Sequence, residues 1–558
     1  MKRIYLVLIA TIAITFVSCS DQEIDTVKPD AGQVAPIIDL PEGATQGRIL
    51  VKFKPEAASF LDAATTRSVG AALTRSGISD MDAVLQRIGT SKLERIFPVD
   101  NRTEERTRKA GLNLWYIIHF DKDTDLEQVA KDLSQVADVA KVQFTRAIQR
   151  SYDPNVRATV LTKQAMTRVV HTTRAVNTDA NDPFFNLQWG CKNDGSILQN
   201  GEKNDKGDNV VPAVMGVDVN CGEAWKLCTG NPSIVVAVLD EGVMYDHPDL
   251  EGNIWVNEDE TFASKEDADG NGYAGDRYGY NFTDDKGYIS YDDPNDTGHG
   301  THVAGIISAV RNNGEGISGI AGGDKANNRG GVKIMSCQVF SGSKGCDLYQ
   351  EAKAVKYAAD NGAVILQCSW GYNSGLSNPI SGYTPGFTSD KDWVDAAPLE
   401  KEAFDYFLHN AGSPNDVIDG GIIVFAAGNE YAAMAGYPGA YPDYISVAAL
   451  AADGTPSCYS NYAMGVSIAA PGGDSDYHQS SKGKIYSTLP PSANEDGGEN
   501  SHYGYMEGTS QACPHISGVA ALGLSYAAEL HRHFRADEFR KMILESVNPV
   551  ASVGPFEY

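Results

Sequence analysis

SIVVAVLD, residues 233–240, decides how the larger part of this chain folds. The run from Ile234 to Leu239 is apolar throughout and rich in β-branched residues, so a strand built from it has no face for water and must be covered on both sides. The same reading applies to VKIMSCQVF (332–340), AVILQCSW (363–370), GIIVFAAGNE (421–430) and YISVAAL (444–450), and the helical pattern LYQEAKAVKYAADNG (348–362) falls among them. Strands alternating with helices predict an α/β domain over residues 181–558 with a doubly wound, mostly parallel sheet. Ligands bind such sheets beyond the carboxyl ends of the strands, which makes the polar residues there the candidates for chemistry. Asp240, which closes the first run, is one of them.

Upstream the pattern differs. RILVKFK (48–54) and LNLWYIIHF (112–120) read as strands, DLEQVAKDLSQVADV (125–139) as an amphipathic helix and KVQFTRAI (141–148) as a closing strand, giving a small α+β unit over residues 47–150. Residues 151–180, rich in Thr, Arg and Val without periodicity, read as a linker. The net charge of −27 is carried almost wholly by the later residues, because basic and acidic side chains nearly balance from Ser20 to Ala175. A chain this acidic is not built for nucleic acid or an anionic membrane. The opening, MKRIYLVLIATIAITFVSCS, sets two basic residues before an apolar run too short to span a bilayer, the pattern of an export signal over residues 1–19. Its end resembles a bacterial lipobox, which implies Cys19 as the acylation site and residues 20–46 as a polar tether; plain secretion with Cys19 discarded is the alternative. Any membrane attachment would then be by lipid, with the body of the protein in the cell envelope, facing the periplasm or the cell surface. Of the nine cysteines, Cys221 and Cys228 share a helical stretch and lie too far apart along it to bond each other, while the connectivity of the rest stays open.

Two further stretches carry candidate chemistry. GHGTHVAG (298–305) sets His299 at a helix start and His302 one turn deeper. The pair reads as zinc ligands or as one base with a bystander, but a zinc hydrolase also needs a third ligand and a general base, and no HExxH-type motif occurs. EGTSQACPHISGVAAL (507–522) places Ser510 at the start of a second helix, beside unpaired backbone N–H groups, with Pro514 expected in the first turn. Taken singly, Asp240 is a turn residue and Ser510 a helix cap. Together with His299 they supply what a hydroxyl nucleophile needs: a base to take its proton and a carboxylate to orient that base and stabilise its cation.

In the chain order Asp240, His299, Ser510, the segments VAVLDEGV, GHGTHVAG and GTSQACPHISG resemble the three triad motifs of the subtilisin-like serine proteases, the subtilases, and the resemblance spans about residues 181–547. AAGNE (426–430) resembles a fourth motif, which implies Asn429 as side-chain donor to the oxyanion beside the Ser510 backbone N–H. CSWG (368–371) resembles the strand that pairs with an extended substrate. It implies a cleft framed by Ser369, Trp370, Gly371, Ala427 and Gly428, although Trp370 reads equally well as core. NDPFFNLQWG (181–190) is similar to the usual opening of these catalytic domains. The resemblance implies a serine endopeptidase that attacks protein or peptide substrates through an acyl-enzyme on Ser510, with His302 a bystander. The unit over 47–150 is similar in element order to subtilase propeptides, small ferredoxin-like domains that assist folding and inhibit until cleaved. The linker after it would hold the processing site, and the chain's own propeptide would be its intramolecular inhibitor.

DADGNGYAGD (267–276) adds a metal question. Asp267, Asp269 and Asn271, alternating before Gly272, reproduce the opening of a calcium loop. Tyr278 stands where an EF-hand has its bidentate glutamate, so the stretch is closer to the calcium loops that some subtilases insert between their Asp and His motifs, with Asp276 a further ligand. A solvated acidic turn is the other reading, and no organic cofactor is implied. Two features depart from the subtilase pattern. Glu241 replaces the usual Ser or Thr beside the triad Asp and, pointing inward, would change the charge around the base. ASVGPFEY follows soon after FRKMILESV, without the glycine-rich turn and last helix of many subtilases, so the ending is a variant or the domain is incomplete. These departures keep a second class of function open, a pseudoprotease that retains the fold and binds peptides.

Overall fold

The structure, a computed structural model, describes residues 34–40, 42–67, 72–161, 179–204, 206–412, 416–475, 480–493 and 502–548. Cys19, the export signal and residues 162–178 of the linker lie outside the described residues.

The strand Val235–Glu241 is buried at every position. It lies in an eight-stranded sheet in the order Lys344–Gly345, Lys333–Ser341, Val235–Glu241, Ala363–Cys368, Ile422–Ala426, Ile445–Leu450 and Ile468–Pro471, with Gly279–Asn281 also paired to Lys333–Ser341. All its ladders are parallel except the short hairpin at Lys344–Gly345. Val236 and Val238 pack into a layer with the helices His299–Ser308 and Thr509–Glu529, whereas Val235, Ala237 and Leu239 pack into the opposite layer with Leu348–Asp360 and Pro398–Asn410. This is the doubly wound architecture expected from the unbroken apolar runs, since each strand needs apolar side chains for both layers.

The N-terminal unit is a five-stranded sheet in the order Ile37–Ile38, Val139–Gln143, Arg48–Phe53, Trp115–His119 and Lys92–Arg95, antiparallel apart from the first pair. Strand alternation gives it two apolar faces. Ile49, Val51 and Phe53 face its own helices, among them Ala58–Arg67, Ser79–Arg87 and Leu126–Ser134. Leu50, Trp115 and Ile117 point the other way, into the layer that holds Leu348–Asp360 and Pro398–Asn410. Polar ties fasten the same face: Lys52 Nζ lies 2.6 Å from Glu402, Trp115 Nε1 donates to Glu402 at 2.8 Å, Arg106 to Asp360 at 2.9 Å and Arg48 to Asp347 at 3.0 Å. The ordered unit begins earlier than the boundary at residue 47. Ile37–Ile38, within the stretch read as tether, pairs with Val142 and Gln143 because Ala35 finds apolar cover against the sheet.

Beyond this sheet the chain runs along the larger domain. Ile148 N donates to Cys346 O at 2.8 Å and Leu348 N to Arg146 O at 3.0 Å, so residues 146–148 continue as an extended segment beside residues 346–348. Thr159 then pairs with Tyr505, which carries residues 151–158 across the carboxyl ends of the parallel strands. Cys221 and Cys228 do not bond each other. No helix among the described residues is long and apolar enough to cross a membrane.

Candidate active site

Asp240 is the sixth residue of its strand and is delivered to the ligand side of the sheet with its carboxylate buried. His299 opens the helix that packs against it. Its Nδ1 lies 2.8 and 3.0 Å from the two Asp240 oxygens, and Asp240 Oδ1 also accepts from Glu241 N at 2.7 Å. A proton on Nδ1 directed at the carboxylate leaves Nε2 as the basic nitrogen, and Nε2 is buried with no hydrogen-bond partner among the described residues. The close approach depends on Gly300, where a Cβ would stand 2.1 Å from the Glu241 carbonyl oxygen. His302 lies deeper and spends Nε2 on the carbonyls of Ile485 and Gly504, each at 3.2 Å. Burial pushes its pKa down to about 3, so it stays neutral, and it joins His299 in no cluster of three potential metal ligands among the described residues. Of the two, only His299 meets a carboxylate through one ring nitrogen and keeps the other free of partners among the described residues.

Ser510 enters from the start of the helix Thr509–Glu529, after Gly508 at φ +150°. Pro514 sits in the second turn rather than the first. Having no N–H, it leaves the Ser510 carbonyl without its helical partner, and Ser369 Oγ donates there at 2.8 Å. The Ser510 hydroxyl donates to Ser369 O at 3.2 Å, so Ser369 holds the residue from two sides and the hydroxyl does not bond His299 Nε2. Asn429 accepts from Thr509 N at 3.0 Å and Thr509 Oγ1 at 2.9 Å through Oδ1, which aims its Nδ2 into the cleft. Ala427 N bonds Val447 O and Gly428 N bonds Thr509 Oγ1, so both backbones are tied down beside Asn429. Gly371 lines this region close to the Tyr437 carbonyl, but Trp370 is buried with its ring edge on Phe425, which is the core reading. Sequence reasoning missed Glu430 and Asn461: Asn461 donates to Ala427 O, accepts from Glu430 N and Ala432 N, and bonds the Glu430 carboxylate.

The cleft is filled by the chain itself. Ser151 O accepts from Asn429 Nδ2 at 3.0 Å, and Ser151 Oγ donates to Ser369 O at 3.2 Å. The Tyr152 ring stacks on His299, with centroids 3.8 Å apart and planes 14° from parallel. Arg150 donates to Gly342 O at 2.6 Å and lies 3.4 Å from Glu241 Oε1 and 3.6 Å from Asp296 Oδ1. The other Glu241 oxygen accepts from Thr297 N, Thr297 Oγ1 and His299 N at 2.9, 3.1 and 3.0 Å. Glu241 therefore holds the helix start and faces Arg150, without bonding the imidazole. Burial, with the Glu241 charge adding to it, pushes the Asp296 pKa up to about 8. Nothing in the pattern of residues 150–157 marked them for this place, since cleft occupancy leaves no periodic signature.

In the acidic loop, Glu260, Asp267 and Asp269 each bring a carboxylate oxygen within 4.8 Å of the others. Asn271 N bonds Asp267 and Asp269, each at 3.1 Å, and Gly272 N bonds Asp267 at 2.9 Å, so the turn expected from the alternation forms. Asp276 is committed elsewhere: it accepts from Asn257 and Asn271 at 2.9 Å and from Tyr357 at 2.7 Å, and burial raises its pKa to about 6. The structure thus brings in Glu260, which the sequence reading left out, and keeps Asp276 and the Asn271 amide in a neighbouring network. Three carboxylates suit a hard divalent cation such as calcium. Arg102 of the N-terminal unit lies 3.2 Å from Asp269.

Comparison with known proteins bears on both units. Residues 231–555 match a family model described as Subtilase family, and residues 49–195 match one described as N-terminal of Subtilase family. The chain is 30% identical over 323 residues to halolysin of Haloferax mediterranei, covering 57% of this chain and 47% of that protein. It is 26% identical over 336 residues to the thermophilic serine proteinase of Bacillus sp. (strain AK1), covering 60% and 61%, and 28% identical over 341 residues to thermitase of Thermoactinomyces vulgaris, covering 61% and 89%. It spans about half the length of halolysin. Among solved structures, fervidolysin from Fervidobacterium pennivorans aligns with a TM-score of 0.48 at 22% identity, covering 88% of this chain and 56% of that one.

Proposed function

This chain belongs to the subtilase family, and from that premise we propose that it is an exported serine endopeptidase made as a zymogen, whose first cut falls in its own chain between Ser151 and Tyr152. The observation that carries this reading is the Ser151 carbonyl on Asn429 Nδ2, with Tyr152 stacked on the base. A peptide bond so placed is oriented for attack, because its oxygen already meets the donor that would stabilise the oxyanion.

In the proposed reaction the Ser510 hydroxyl swings from Ser369 O toward His299 Nε2, which takes its proton as Oγ attacks the Ser151 carbonyl carbon. Asn429 Nδ2 and the Ser510 N–H hold the oxyanion, and Asp240 stabilises the imidazolium. His299 then protonates the Tyr152 nitrogen, the C–N bond breaks, and water releases Ser151 as a new carboxylate by the same steps in reverse order. The two bonds His299 makes through Nδ1 and the seated chain favour catalysis over peptide binding alone.

After the cut the N-terminal unit would remain as an inhibitor through its sheet face, and a calcium ion held by Glu260, Asp267 and Asp269 would stabilise the loop that borders it. Export and lipidation at Cys19 rest on the N-terminal pattern alone. Intact-mass and N-terminal analysis of the purified wild type beside Ser510→Ala tests the proposal. The wild type should end its N-terminal fragment at Ser151 while the variant stays whole; a cut in both, or in neither, would overturn self-processing at this bond.

A further inference from the structure

Arg150 precedes the residue whose carbonyl is presented for attack, and its side chain is only 8% exposed. It is enclosed by Glu241 and Asp296, by the Gly342 carbonyl, by the Tyr152 hydroxyl 3.1 Å from its Nε, and by the Phe340 ring 5.1 Å away. Glu241 Oε1 and Asp296 Oδ2 are buried without a hydrogen-bond partner among the described residues. Two carboxylates buried side by side repel one another, and a cation between them removes that cost. Burial opposes charge on Arg150, yet Tyr152, Glu241 and Asp296 outweigh it and raise the guanidinium's pKa.

The pocket is built from the catalytic domain. Glu241 follows the triad aspartate, and Asp296 stands three residues before His299, anchored by Gly342 N at 2.7 Å. When the N-terminal unit leaves, Arg150 leaves with it, and the pocket faces whichever substrate residue takes its place. The carbonyl and both carboxylates gather about one guanidinium nitrogen, Nη2, while Nε donates to the Tyr152 hydroxyl, so the side chain uses two nitrogens at once, which an ammonium cannot.

We propose that Glu241 and Asp296 are specificity-determining residues, selecting substrates with an arginine immediately before the residue whose carbonyl is attacked. The proposal rests on the peptidase reading above, so the experiment separates the two. Quenched peptides of the sequence of residues 147–155 are prepared with Arg, Lys, Gln or Leu at the position of Arg150, and kcat/KM is measured with protein matured from the full chain. Arg should exceed Gln and Leu by about tenfold to a hundredfold, as buried charge pairs at interfaces do. Glu241→Gln and Asp296→Asn should each shrink the Arg-to-Gln ratio, a readout that general damage to the helix start would not move. In the full chain, Arg150→Gln should slow self-processing and Arg150→Lys less so, with the Arg150→Gln and Glu241→Gln effects non-additive. Equal rates on the four peptides, or an unchanged ratio in both carboxylate variants, would overturn the specificity proposal and leave the peptidase reading standing. No cleavage of any peptide, with the full chain uncut, would overturn both.

Discussion

Replacing Glu402 by alanine should loosen the hold of the N-terminal unit on the catalytic domain. The Glu402 carboxylate takes Lys52 Nζ at 2.6 Å and Trp115 Nε1 at 2.8 Å, with the Lys52 and Glu402 side chains 18% and 23% exposed. An exposed ion pair contributes about 0.2–1 kcal/mol, and a hydrogen bond to a charged group away from water about 1.5–3 kcal/mol. Trp115 is wholly buried, so losing its acceptor strands an N–H at a cost of about 1–3 kcal/mol, whereas Lys52 can turn to solvent. The sum, about 2–4 kcal/mol, corresponds to a grip about 30- to 900-fold weaker. Glu402→Gln keeps an acceptor for Trp115 and gives up only the charge facing Lys52 and, at 3.8 Å, Lys141, so it should lose about 1 kcal/mol, roughly fivefold. The assay follows peptide hydrolysis after self-processing, where the lag reports release of the cleaved unit. The lag should shorten in the order wild type, Glu402→Gln, Glu402→Ala, while the Tm of the matured enzyme stays the same. Equal lags, with the cleaved unit co-eluting equally in size exclusion, would refute the idea that this face holds the inhibitor.

Gly300→Ala places a Cβ 2.1 Å from the Glu241 carbonyl oxygen, so the helix must retreat from the strand. Overpacking of this kind costs about 1–3 kcal/mol, and self-processing should fall at least tenfold with a lower Tm, both read on purified full chain. His302 has its pKa pushed from 6.5 down to about 3, so between those values the unfolded chain binds the extra proton; its contribution is complete above pH 6.5 and is lost as pH falls toward 3. His302→Gln should therefore flatten the acid limb of the stability curve by about 1.4 kcal/mol per pH unit between pH 6 and pH 3, measured by urea unfolding. Glu260→Gln and Asp267→Asn should each remove most of any calcium-dependent rise in Tm, whereas Asp276→Asn should leave it, since that carboxyl already bonds Asn257, Asn271 and Tyr357; melts with calcium and with chelator decide it.

The parallel sheet and the three residues that the proposed reaction uses could be read from the order of the residues because their signals are local. A run such as Ile234–Leu239 must be covered on two sides wherever it lies, and His299 and Ser510 each sit in the first turn of a helix that a glycine, Gly298 or Gly508, announces. The stretch Arg48–Phe53 likewise read as a strand, although nothing in it said which domain its second face would meet. What the tertiary structure alone decided depends on groups far apart in the chain. Glu260 joins Asp267 and Asp269 only because the loop folds back on itself, and Asp276 leaves them because Tyr357 and Asn257 take its oxygens. Glu241 looked like a charge beside the base, and it became a pocket wall once Thr297, His299 and Arg150 surrounded it. Residues 151 and 152 looked like linker, and Arg150 like the end of the N-terminal unit. An extended segment in a cleft is held by the walls around it, Gly342, Ser369 and Asn429 here, and its own sequence carries no periodic trace of them.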